Sequence, residues 1–233
     1  MLEIVQAGQA GKTKFLFDMH RLRTRVFKDR LGWDVSVTED GLEVDQFDLP
    51  ETVYMLALDD NKRVIGNWRL LPTSGPTMIR DVWPEFLESN PMPSDPNVWE
   101  TSRFAVNSLQ GESEEGLAQV NKATQELFCG LTELCILCGI RQIYTLYDMR
   151  IARLLKRLNC EPLAVSKKIK IDDNYAQVGS FLTNKDMLAR LRHACGITRP
   201  IVTEDMLPPI LQSRMMVSDA APNGVWSYAQ TAA

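Results

Sequence analysis

The most informative stretch for the architecture is VYMLALDDNKRVIGNWRLL, residues 53–71 of the 233 in the chain. Two runs rich in apolar and β-branched residues, 53–58 and 64–71, flank the polar residues 59–61, a pattern typical of a β-hairpin. Pro72 follows the second run and would end it, because proline lacks the backbone N–H that pairs strands. The sequence therefore predicts an antiparallel pair of strands here.

Helices and strands alternate on both sides of this hairpin. Apolar residues at three- and four-residue steps predict an amphipathic helix over 15–30, which Gly32 would end. Beyond the hairpin, residues 73–97 are rich in Pro, Ser and Asp and predict a loop with about one helical turn. A strand is predicted over 98–106. Long loops in compact domains often carry function, so residues 73–97 are of interest.

The second half of the chain continues the alternation. The predicted elements are a long helix over 117–138, a strand over 140–147, a helix over 149–158, a hairpin of 163–171 and 175–183, and a helix capped by Asn184. Strands interleaved with helices, with hairpins at both ends, indicate an α/β protein whose mixed sheet is covered by helices.

Length and composition favour one domain with one main core. We assign residues 1–217 to it and residues 218–233, rich in Ala, Ser, Gly and Asn, to a loosely held C-terminal tail. No run of about eighteen apolar residues occurs, and the first residues lack a signal-peptide pattern, so neither membrane spanning nor secretion is expected. The net charge of -4 does not favour nucleic-acid binding. We expect a cytoplasmic protein.

Cysteine and histidine usage predicts neither a disulfide framework nor a metal site. The five cysteines are odd in number, and Cys129, Cys135 and Cys138 fall within one predicted helix. Cys135 and Cys138 have CxxC spacing, but no second such pair and no histidine lies nearby, so buried thiols are predicted. The two histidines, His20 and His193, lie on predicted helices and are expected to be exposed or capping residues.

Charged residues of the first half follow an order that core packing does not explain. Asp45 and Asp48 stand in EVDQFD, where two nearby carboxylates could bind a cationic ligand or form a solvated acidic loop. Arg69 and Arg103 lie inside predicted strands, and a buried arginine needs a partner. An ion-pair network of these four residues with Glu100 would explain the pattern without any chemistry. The residues alone leave both interpretations open.

Four blocks of the first half resemble the signature sequences of the LuxI-type acyl-homoserine-lactone synthases. They are RTRVFKDRLGW (23–33), EVDQFD (43–48), NWRLLPTSGPTMI (67–79) and VWETSRFAV (98–106). Their order and spacing are near those of the family, whereas the second half resembles it in pattern more than in identity. The resemblance implies a GNAT-like fold, a three-layer α/β/α sandwich with a twisted mixed sheet and a V-shaped opening between two strands for the thioester.

The resemblance also implies a reaction. In such enzymes the amine of S-adenosylmethionine attacks the carbonyl of an acyl thioester, and the methionine carboxylate then attacks its own γ-carbon. The second step expels 5′-methylthioadenosine and closes the lactone of a quorum-sensing signal. S-adenosylmethionine is thus a substrate, the donor is an acyl carrier protein or acyl-CoA, and neither a cofactor nor a metal is expected.

Positions that match the family blocks carry the implied roles. The S-adenosylmethionine site would comprise Arg23, Phe27, Trp33, Asp45, Asp48, Arg103 and Phe104. The first three would form its lid and wall, and the two aspartates would hold the amine or order that wall. The catalytic cluster would be Arg69, Glu100 and Arg103, with Arg103 on the methionine carboxylate. Glu100 is expected either to accept the proton of the amine or only to orient Arg103.

The acyl chain is expected to lie among Trp68, Met78, Phe104, Leu146 and Tyr147, residues that ordinary core packing would also explain. Many family members carry a threonine near the end of the strand after the long helix, whereas this chain reads YTLYD at 144–148. A hydroxyl suited to a 3-oxo group could be displaced there. We therefore predict an unsubstituted, branched or aromatic acyl group.

A cluster of basic residues could meet the donor. It comprises Arg150, Arg153, Lys156, Arg157, Lys167, Lys168 and Lys170. Such a cluster could contact an acidic carrier protein or the phosphates of coenzyme A, and it could equally be a solvated surface.

Two other functions compete with the synthase. One is a GNAT-like N-acyltransferase that acts on another amine, and the other is a binding module without turnover. The first would not require Arg23, Trp33, Asp45 and Asp48, and the second would not require the catalytic cluster. The full set of residues therefore favours the synthase.

Overall fold

The computed structural model describes residues 1–107, 114–171 and 174–219, with the backbone alone for 114–121 and 216–219. The strands are β1 (Leu2–Gln6), β2 (Val53–Leu58), β3 (Val64–Pro72), β4 (Val98–Val106), β5 (Gln142–Asp148), β6 (Ala164–Val165), β7 (Ile169–Ile171) and β8 (Asn174–Leu182). The helices are α1 (Thr13–Arg23), α2 (Met78–Val82), α3 (Glu114–Leu137), α4 (Met149–Arg157), α5 (Lys185–Cys195) and α6 (Pro209–Asp219). A π-helical segment (Thr24–Arg30) continues α1, and 3-10 turns occupy Pro84–Leu87 and Glu204–Met206.

The strands form one mixed sheet. Their order is β1-β2-β3-β4-β5-β8-β6, and β7 also pairs with β8. β4 and β5 run parallel, joined through α3, and the other pairs are antiparallel. A parallel pair needs a crossover of this kind, whereas antiparallel neighbours can be joined by short turns. The predicted mixed sheet and its first hairpin are confirmed.

Helices cover both faces of the sheet. On one face α3, α5 and α6 pack on a core that includes Met55, Leu70 and Leu127, which we call the α3 layer. On the opposite face α1 and the π-helical segment pack on a core that includes Tyr54 and Leu56, which we call the α1 layer. Neighbours in β2 enter different layers because side chains alternate along a strand. The three-layer α/β/α arrangement is therefore confirmed.

The edges of the sheet differ from the sequence-based prediction. β1 was not predicted; it pairs with β2 and buries Leu2 and Ile4. The single strand predicted over 163–171 is wrong, because it is split into β6 and β7. Ser166 lies at the split, and its hydroxyl accepts the hydrogen bond of the Val178 amide at 2.9 Å, in place of a backbone carbonyl.

The C-terminal part of the chain adds a helix that was not predicted. α6 spans Pro209–Asp219 and thus extends past residue 217, where the domain was expected to end. Residues 172–173 of the predicted turn and residues 220–233 of the predicted tail lie outside the described residues. Within the part of the chain that the structure describes, no helix combines the length and the apolar composition of a transmembrane span.

β4 changes its pairing halfway along its length. It pairs with β5 from Val98 to Thr101, opposite Gln142 to Thr145, and the register ends there. The two strands part beyond this point, which is the opening that the family resemblance implies.

A β-bulge follows on the other side of β4. Asn67 pairs with Ala105, whereas Arg69 pairs with Ser102, so β4 carries one extra residue between them. Arg103 lies in the bulge with a φ of 56°, a left-handed conformation that few non-glycine residues adopt. The bulge therefore redirects a functional side chain next to the opening.

Gly179 in β8 leaves room for the buried ring of Tyr147. A Cβ at position 179 would lie 2.8 Å from the Tyr147 hydroxyl oxygen and 2.9 Å from Phe181 Cε2. We expect Gly179→Ala to lower the free energy of unfolding by ~1–3 kcal/mol, because the rings have to move. Urea denaturation measures it, with Gly75→Ala as the control, since its added Cβ would lie 3.8 Å from the nearest atom, the carbonyl oxygen of Pro72. Equal stability of both variants would contradict the prediction.

Candidate functional site

Three arginines, two of them fully buried, form one ion-pair network with three carboxylates between the α1 layer and the sheet. Its members are Arg23 of α1, Arg69 of β3, Arg103 of β4, and Glu43, Asp45 and Asp48 from the loop that precedes β2. The side chains of Arg23 and Arg69 are fully buried. Because a buried charge is costly without a partner, each member depends on the others. The predicted ion-pair network is present, but Arg23 and Glu43 belong to it and Glu100 does not.

Asp48 joins two of the arginines. Its Oδ1 lies 2.7 Å from Arg23 Nη1 and 3.0 Å from Arg69 Nη1, and its Oδ2 lies 2.9 Å from Arg23 Nη2. The Tyr54 hydroxyl donates to Oδ1 at 2.7 Å, and the Asp45 amide donates to Oδ2 at 2.9 Å. Burial opposes ionisation of Asp48, but the charge and hydrogen bonds of Arg23, together with Arg69, outweigh it and hold the pKa well below its usual range.

Arg103 joins the network from β4. Its Nε lies 3.1 Å from Glu43 Oε1, and its Nη2 lies 2.7 Å from Asp45 Oδ2. Its Nη1 lies 3.5 Å from the sulfur of Met78, and its guanidinium carbon lies 5.5 Å from the centre of the Phe27 ring. The Arg103 side chain is 14% exposed, in contrast to the fully buried arginines. It is therefore the most accessible arginine of the network.

A tight turn brings Asp45 and Asp48 together. The Asp48 amide donates to the Asp45 carbonyl at 3.1 Å, and the Phe47 amide donates to Asp45 Oδ1 at 2.9 Å, as in an Asx turn. Phe47 points into the core, and the guanidinium carbon of Arg69 lies 5.6 Å from the centre of its ring. The two carboxylates thus face a common side, as the pattern predicts, and both form ion pairs with arginines.

Glu100 is held by backbone amides. Its Oε1 accepts from the Met78 amide at 3.2 Å and its Oε2 from the Ile79 amide at 2.8 Å, at the start of α2. The expectation that Glu100 is ion-paired in the cluster is therefore wrong, because these amides take the place of a guanidinium. Burial raises the pKa of Glu100 to about 7, although the Ile79 amide, the charge of Arg69 and the Met78 amide oppose it. Such a carboxyl can accept a proton near neutral pH.

Phe27 and Trp33 form an aromatic wall beside Arg103. Their rings are stacked, with centroids 5.1 Å apart and planes inclined by 14°. The π-helical segment ends at Arg30, and Gly32 has a φ of 68° just beyond it. The Trp33 amide then donates to the Phe27 carbonyl at 2.9 Å. Phe27 is buried, whereas Trp33 is 40% exposed, so the wall reaches the surface.

The five residues predicted to line the acyl chain do not share one surface. The rings of Trp68 and Phe104 lie 4.9 Å apart in the α3 layer, where Tyr147 also packs. Leu146 packs on the opposite face of the sheet, because consecutive strand residues alternate. Met78 lies against Arg103 rather than against these rings. Three of the five therefore lie on the same face of the sheet, and two of these are in contact.

Thr101 and Thr145 form the last pair of the β4–β5 ladder. Ile143 and Tyr147 belong to the α3 layer, so Thr145 between them faces the same layer. A threonine hydroxyl is therefore placed on this face at the end of the β4–β5 pairing. The Oγ1 of Thr101 and the Nε1 of Trp68 are buried and lack a hydrogen-bond partner among the described residues. Such groups are available to a polar ligand atom.

Glu43 was not among the predicted site residues, although it is the first residue of the EVDQFD block. Its carboxylate pairs with both Arg23 and Arg103. Counting charges could have pointed to it, since Arg23, Arg69 and Arg103 need as many carboxylates as partners. Ser102, whose hydroxyl accepts from Arg69 Nε at 3.0 Å, was also missed, and no sequence signal marks it.

The cysteines and His193 take no part in the ion-pair network, whereas His20 lies beside it. All five cysteines are free, and burial raises the pKa of Cys138 to about 11. In the described ranges, no group of His, Cys, Asp and Glu side chains is placed to hold a metal ion. His193 is exposed as expected, but His20 is not: its Nδ1 lies 2.7 Å from the Glu43 carbonyl oxygen, and its ring contacts Tyr54 edge-on.

Asp48 should be the carboxylate on which stability depends most. We expect Asp48→Asn to lower the free energy of unfolding by ~3–5 kcal/mol, because two buried guanidinium groups lose their shared counter-charge. Urea denaturation measures the loss, and Glu51→Gln, an exposed change in the same loop, is the control. A loss no greater than that of the control would contradict the prediction.

The same variant tests the pH dependence. The depressed pKa of Asp48 contributes stability above its unfolded-state value of roughly 3.9, and this contribution is lost as pH falls through the lower folded-state value. Wild type should therefore lose its stability advantage over Asp48→Asn as the solution is acidified below about pH 4. An advantage that stays constant down to acid pH would contradict the assignment.

Known proteins are similar to this chain in sequence and in fold. The family model for autoinducer synthases matches residues 9–190. A probable acyl-homoserine-lactone synthase of Sinorhizobium fredii is 34% identical over 194 residues, which are 83% of this chain and 92% of that protein. These matches extend well past the four blocks into the second half of the chain.

Solved structures agree. The crystal structure of the acyl-homoserine-lactone synthase LasI has a TM-score of 0.69 and 30% identity, and the match covers 87% of this chain and 98% of LasI. TofI, in a ternary complex with an inhibitor and MTA, has a TM-score of 0.68 and 25% identity over 82% of this chain and 96% of TofI. These likenesses confirm the predicted fold class. The chain belongs to the autoinducer synthase family and is an acyl-homoserine-lactone synthase.

Proposed function

We propose that this synthase transfers the acyl group of a thioester to the amine of S-adenosylmethionine and then closes the lactone, releasing 5′-methylthioadenosine. The main support for the proposal is the position of Glu100, next to the point where β4 and β5 stop pairing. Its carboxyl is buried and has a pKa of about 7. The complex of the related TofI with MTA supports the second product.

The two substrates approach from opposite faces of the sheet in this proposal. Glu100, Arg103 and the aromatic wall lie on the face of the α1 layer, whereas Trp68 and Phe104 lie in the α3 layer. Pairing of β4 with β5 ends between them, at Thr101. A thioester that enters the opening would present its carbonyl to an amine bound on the other face.

Glu100 is the proposed general base. The ammonium of S-adenosylmethionine has no lone pair, so the amine must lose a proton before it forms the bond to the acyl carbon and expels the thiolate. Glu100 is partly ionised at neutral pH and can take that proton directly or through one water. The alternative role, orienting Arg103, loses support because Glu100 is bound to the amides of Met78 and Ile79.

Arg69 and Arg103 are proposed to bind the methionine carboxylate. The network is neutral as it stands, so a substrate with both an ammonium and a carboxylate adds no net charge at its amino-acid end. Arg103 is the partly exposed arginine, and Arg69 Nη2 is buried without a partner among the described residues. Guanidinium donors of this kind suit a carboxylate, which they would hold in place for ring closure.

Phe27 and Trp33 are proposed to contact the adenine and the sulfonium, since aromatic faces attract cations. Asp48 is saturated by Arg23, Arg69 and Tyr54, so it is proposed to order the wall rather than bind the amine. Arg23 is fully buried and is proposed to act the same way, not as a lid. Phe104 is assigned to the acyl side because it packs against Trp68.

The donor is proposed to meet the basic cluster around α4. Arg150 is 53% exposed and pairs with Asp148, and Lys167 is 55% exposed and pairs with Glu88. Both an acidic carrier protein and coenzyme A would be attracted to this surface. No cofactor is required by the proposed chemistry, and the five free thiols support a reducing, cytoplasmic setting.

The acyl group is proposed to carry an oxygen near the thioester, in place of the unsubstituted, branched or aromatic group predicted from the sequence. The sequence-based prediction assumed a displaced hydroxyl, whereas Thr145 faces the α3 layer beside Thr101. The unpartnered Thr101 Oγ1 and Trp68 Nε1 could donate to a 3-oxo or 3-hydroxy group.

An incubation of purified protein with S-adenosylmethionine and a panel of thioesters tests the function. The panel pairs each acyl group on carrier protein with the same group on coenzyme A, and mass spectrometry detects lactone and 5′-methylthioadenosine. Both products should appear in equal amounts, and the better carrier identifies the donor. Acylation without release of 5′-methylthioadenosine would replace the proposal with a general N-acyltransferase.

Glu100→Gln should lower kcat about 10²- to 10⁴-fold while the protein remains folded, because glutamine keeps one acceptor for the α2 amides but cannot take a proton. Wild-type kcat/KM should rise with pH through about 7 as Glu100 ionises. The variant should lack this limb of the profile. Glu161→Gln, at an exposed carboxylate, is the control. A Glu100→Gln variant with the wild-type pH profile would show that another group accepts the proton.

Thr101→Val should selectively weaken use of oxygen-bearing thioesters. We expect kcat/KM for a 3-oxoacyl thioester to fall ~3- to 10-fold, the effect of one neutral hydrogen bond. The unsubstituted thioester of the same length is the matched control and should be used as well as before. Equal losses for both thioesters would assign Thr101 to packing alone.

A further inference from the structure

The conformation of Arg103 needs an explanation beyond its ion pairs. Its φ of 56° is one of three positive values at non-glycine positions among the described residues. Such a conformation persists when surrounding contacts over-determine it. The others, Lys62 and Asn159, lie in the turn between β2 and β3 and just after α4, where left-handed residues are ordinary. Arg103 lies inside a strand, in a bulge.

The side chain of Asn67 reaches across this bulge. Its Nδ2 donates to the carbonyl oxygen of Arg103 at 2.8 Å, and Asn67 is fully buried in β3. The same residue pairs through its backbone with Ala105, and the register shifts between Asn67 and Arg69. Asn67 of β3 therefore contacts Arg103, which lies in the β4 bulge. Its side chain reaches the Arg103 carbonyl where the register between the two strands shifts.

The carbonyl and the side chain of Arg103 are linked through one backbone unit. Rotation of that unit toward ordinary strand geometry would turn the carbonyl away from Asn67 and swing the guanidinium. The ion pairs of Arg103 with Glu43 and Asp45 depend on the direction in which its guanidinium now points. An anchored carbonyl thus fixes where the guanidinium points.

Packing alone does not explain an asparagine at this position. Asn67 Oδ1 is buried without a hydrogen-bond partner among the described residues, which is unfavourable for a group that serves only to fill space. An apolar residue of similar volume would avoid this cost. What asparagine offers in addition is the amide donor that meets the Arg103 carbonyl.

We propose that Asn67 is a positioning residue that locks the β4 bulge and so aims the Arg103 guanidinium at the carboxylate of the amino-acid substrate. The proposal rests on the proposed role of Arg103. Asn67 itself touches no reacting atom in this assignment and acts through Arg103.

Asn67→Leu tests the lock, because leucine has the same branched side chain of four heavy atoms and no donor. We expect KM for S-adenosylmethionine to rise by ~10- to 100-fold, the scale of effect of a misplaced binding group. KM for the thioester should stay within about twofold of wild type, because the thioester binds on the other face of the opening. A melting temperature measured in parallel shows whether the variant is folded, and Asn67→Ala serves if leucine is not accommodated.

A double-mutant cycle separates positioning from general damage. In an Arg103→Ala background, Asn67→Leu should change kcat/KM for S-adenosylmethionine by less than about twofold, because the group it positions is gone. Equal losses in both backgrounds would make Asn67 structural and overturn the proposal. An unchanged KM for S-adenosylmethionine in Asn67→Leu would overturn it as well.

A crystal structure of Asn67→Leu gives a readout that does not depend on turnover. The φ of Arg103 should relax to a negative value, with loss of the ion pairs to Glu43 and Asp45. Retention of the φ of 56° would reject the lock even if activity fell. Failure of wild type to make a lactone would instead reject the proposed function and leave the backbone result standing.

Discussion

The buried carboxylate of Asp48 accepts hydrogen bonds from two layers of the fold, from Arg23 in α1 and from Arg69 in β3. Each guanidinium depends on this carboxylate for neutralisation, so the helix cannot slide over the sheet without leaving a charge unpaired. Arg103 extends the network to β4 through Glu43 and Asp45. The aromatic wall, which follows directly from α1, is thereby held against the sheet on the face where the buried Glu100 lies.

Two carboxyl groups of this site differ in protonation because their surroundings differ. Asp48 is surrounded by guanidinium groups and stays ionised, whereas Glu100 receives amide hydrogen bonds in a buried setting that raises its pKa to about 7. One is therefore suited to hold structure and the other to exchange a proton. Glu100 lies in β4, close to both the bulge and the point where β4 stops pairing with β5. It is therefore beside the opening to the α3 layer.

Periodicity was sufficient for the central elements, because the hairpin of β2 and β3 and the long helix α3 have patterns that packing against a core demands. It failed for β1, a five-residue edge strand whose place depends on pairing with β2, and for the strand that Ser166 interrupts. The candidate site was predicted by resemblance more than by pattern. The resemblance named Arg69, Arg103 and Glu100 but could not distinguish an ion-paired carboxylate from one held by amides.

The sequence by itself determined the family, the alternation of helices and strands, and the charged and aromatic residues from which a site could be built, because these depend on local pattern and residue type. Only the tertiary structure decided which carboxylate meets which arginine, that Leu146 and Tyr147 face different layers, and that Arg103 lies in a bulge contacted by Asn67. These features depend on strand register and on contacts between residues far apart in the chain, and a one-residue change of register reverses the face of every side chain.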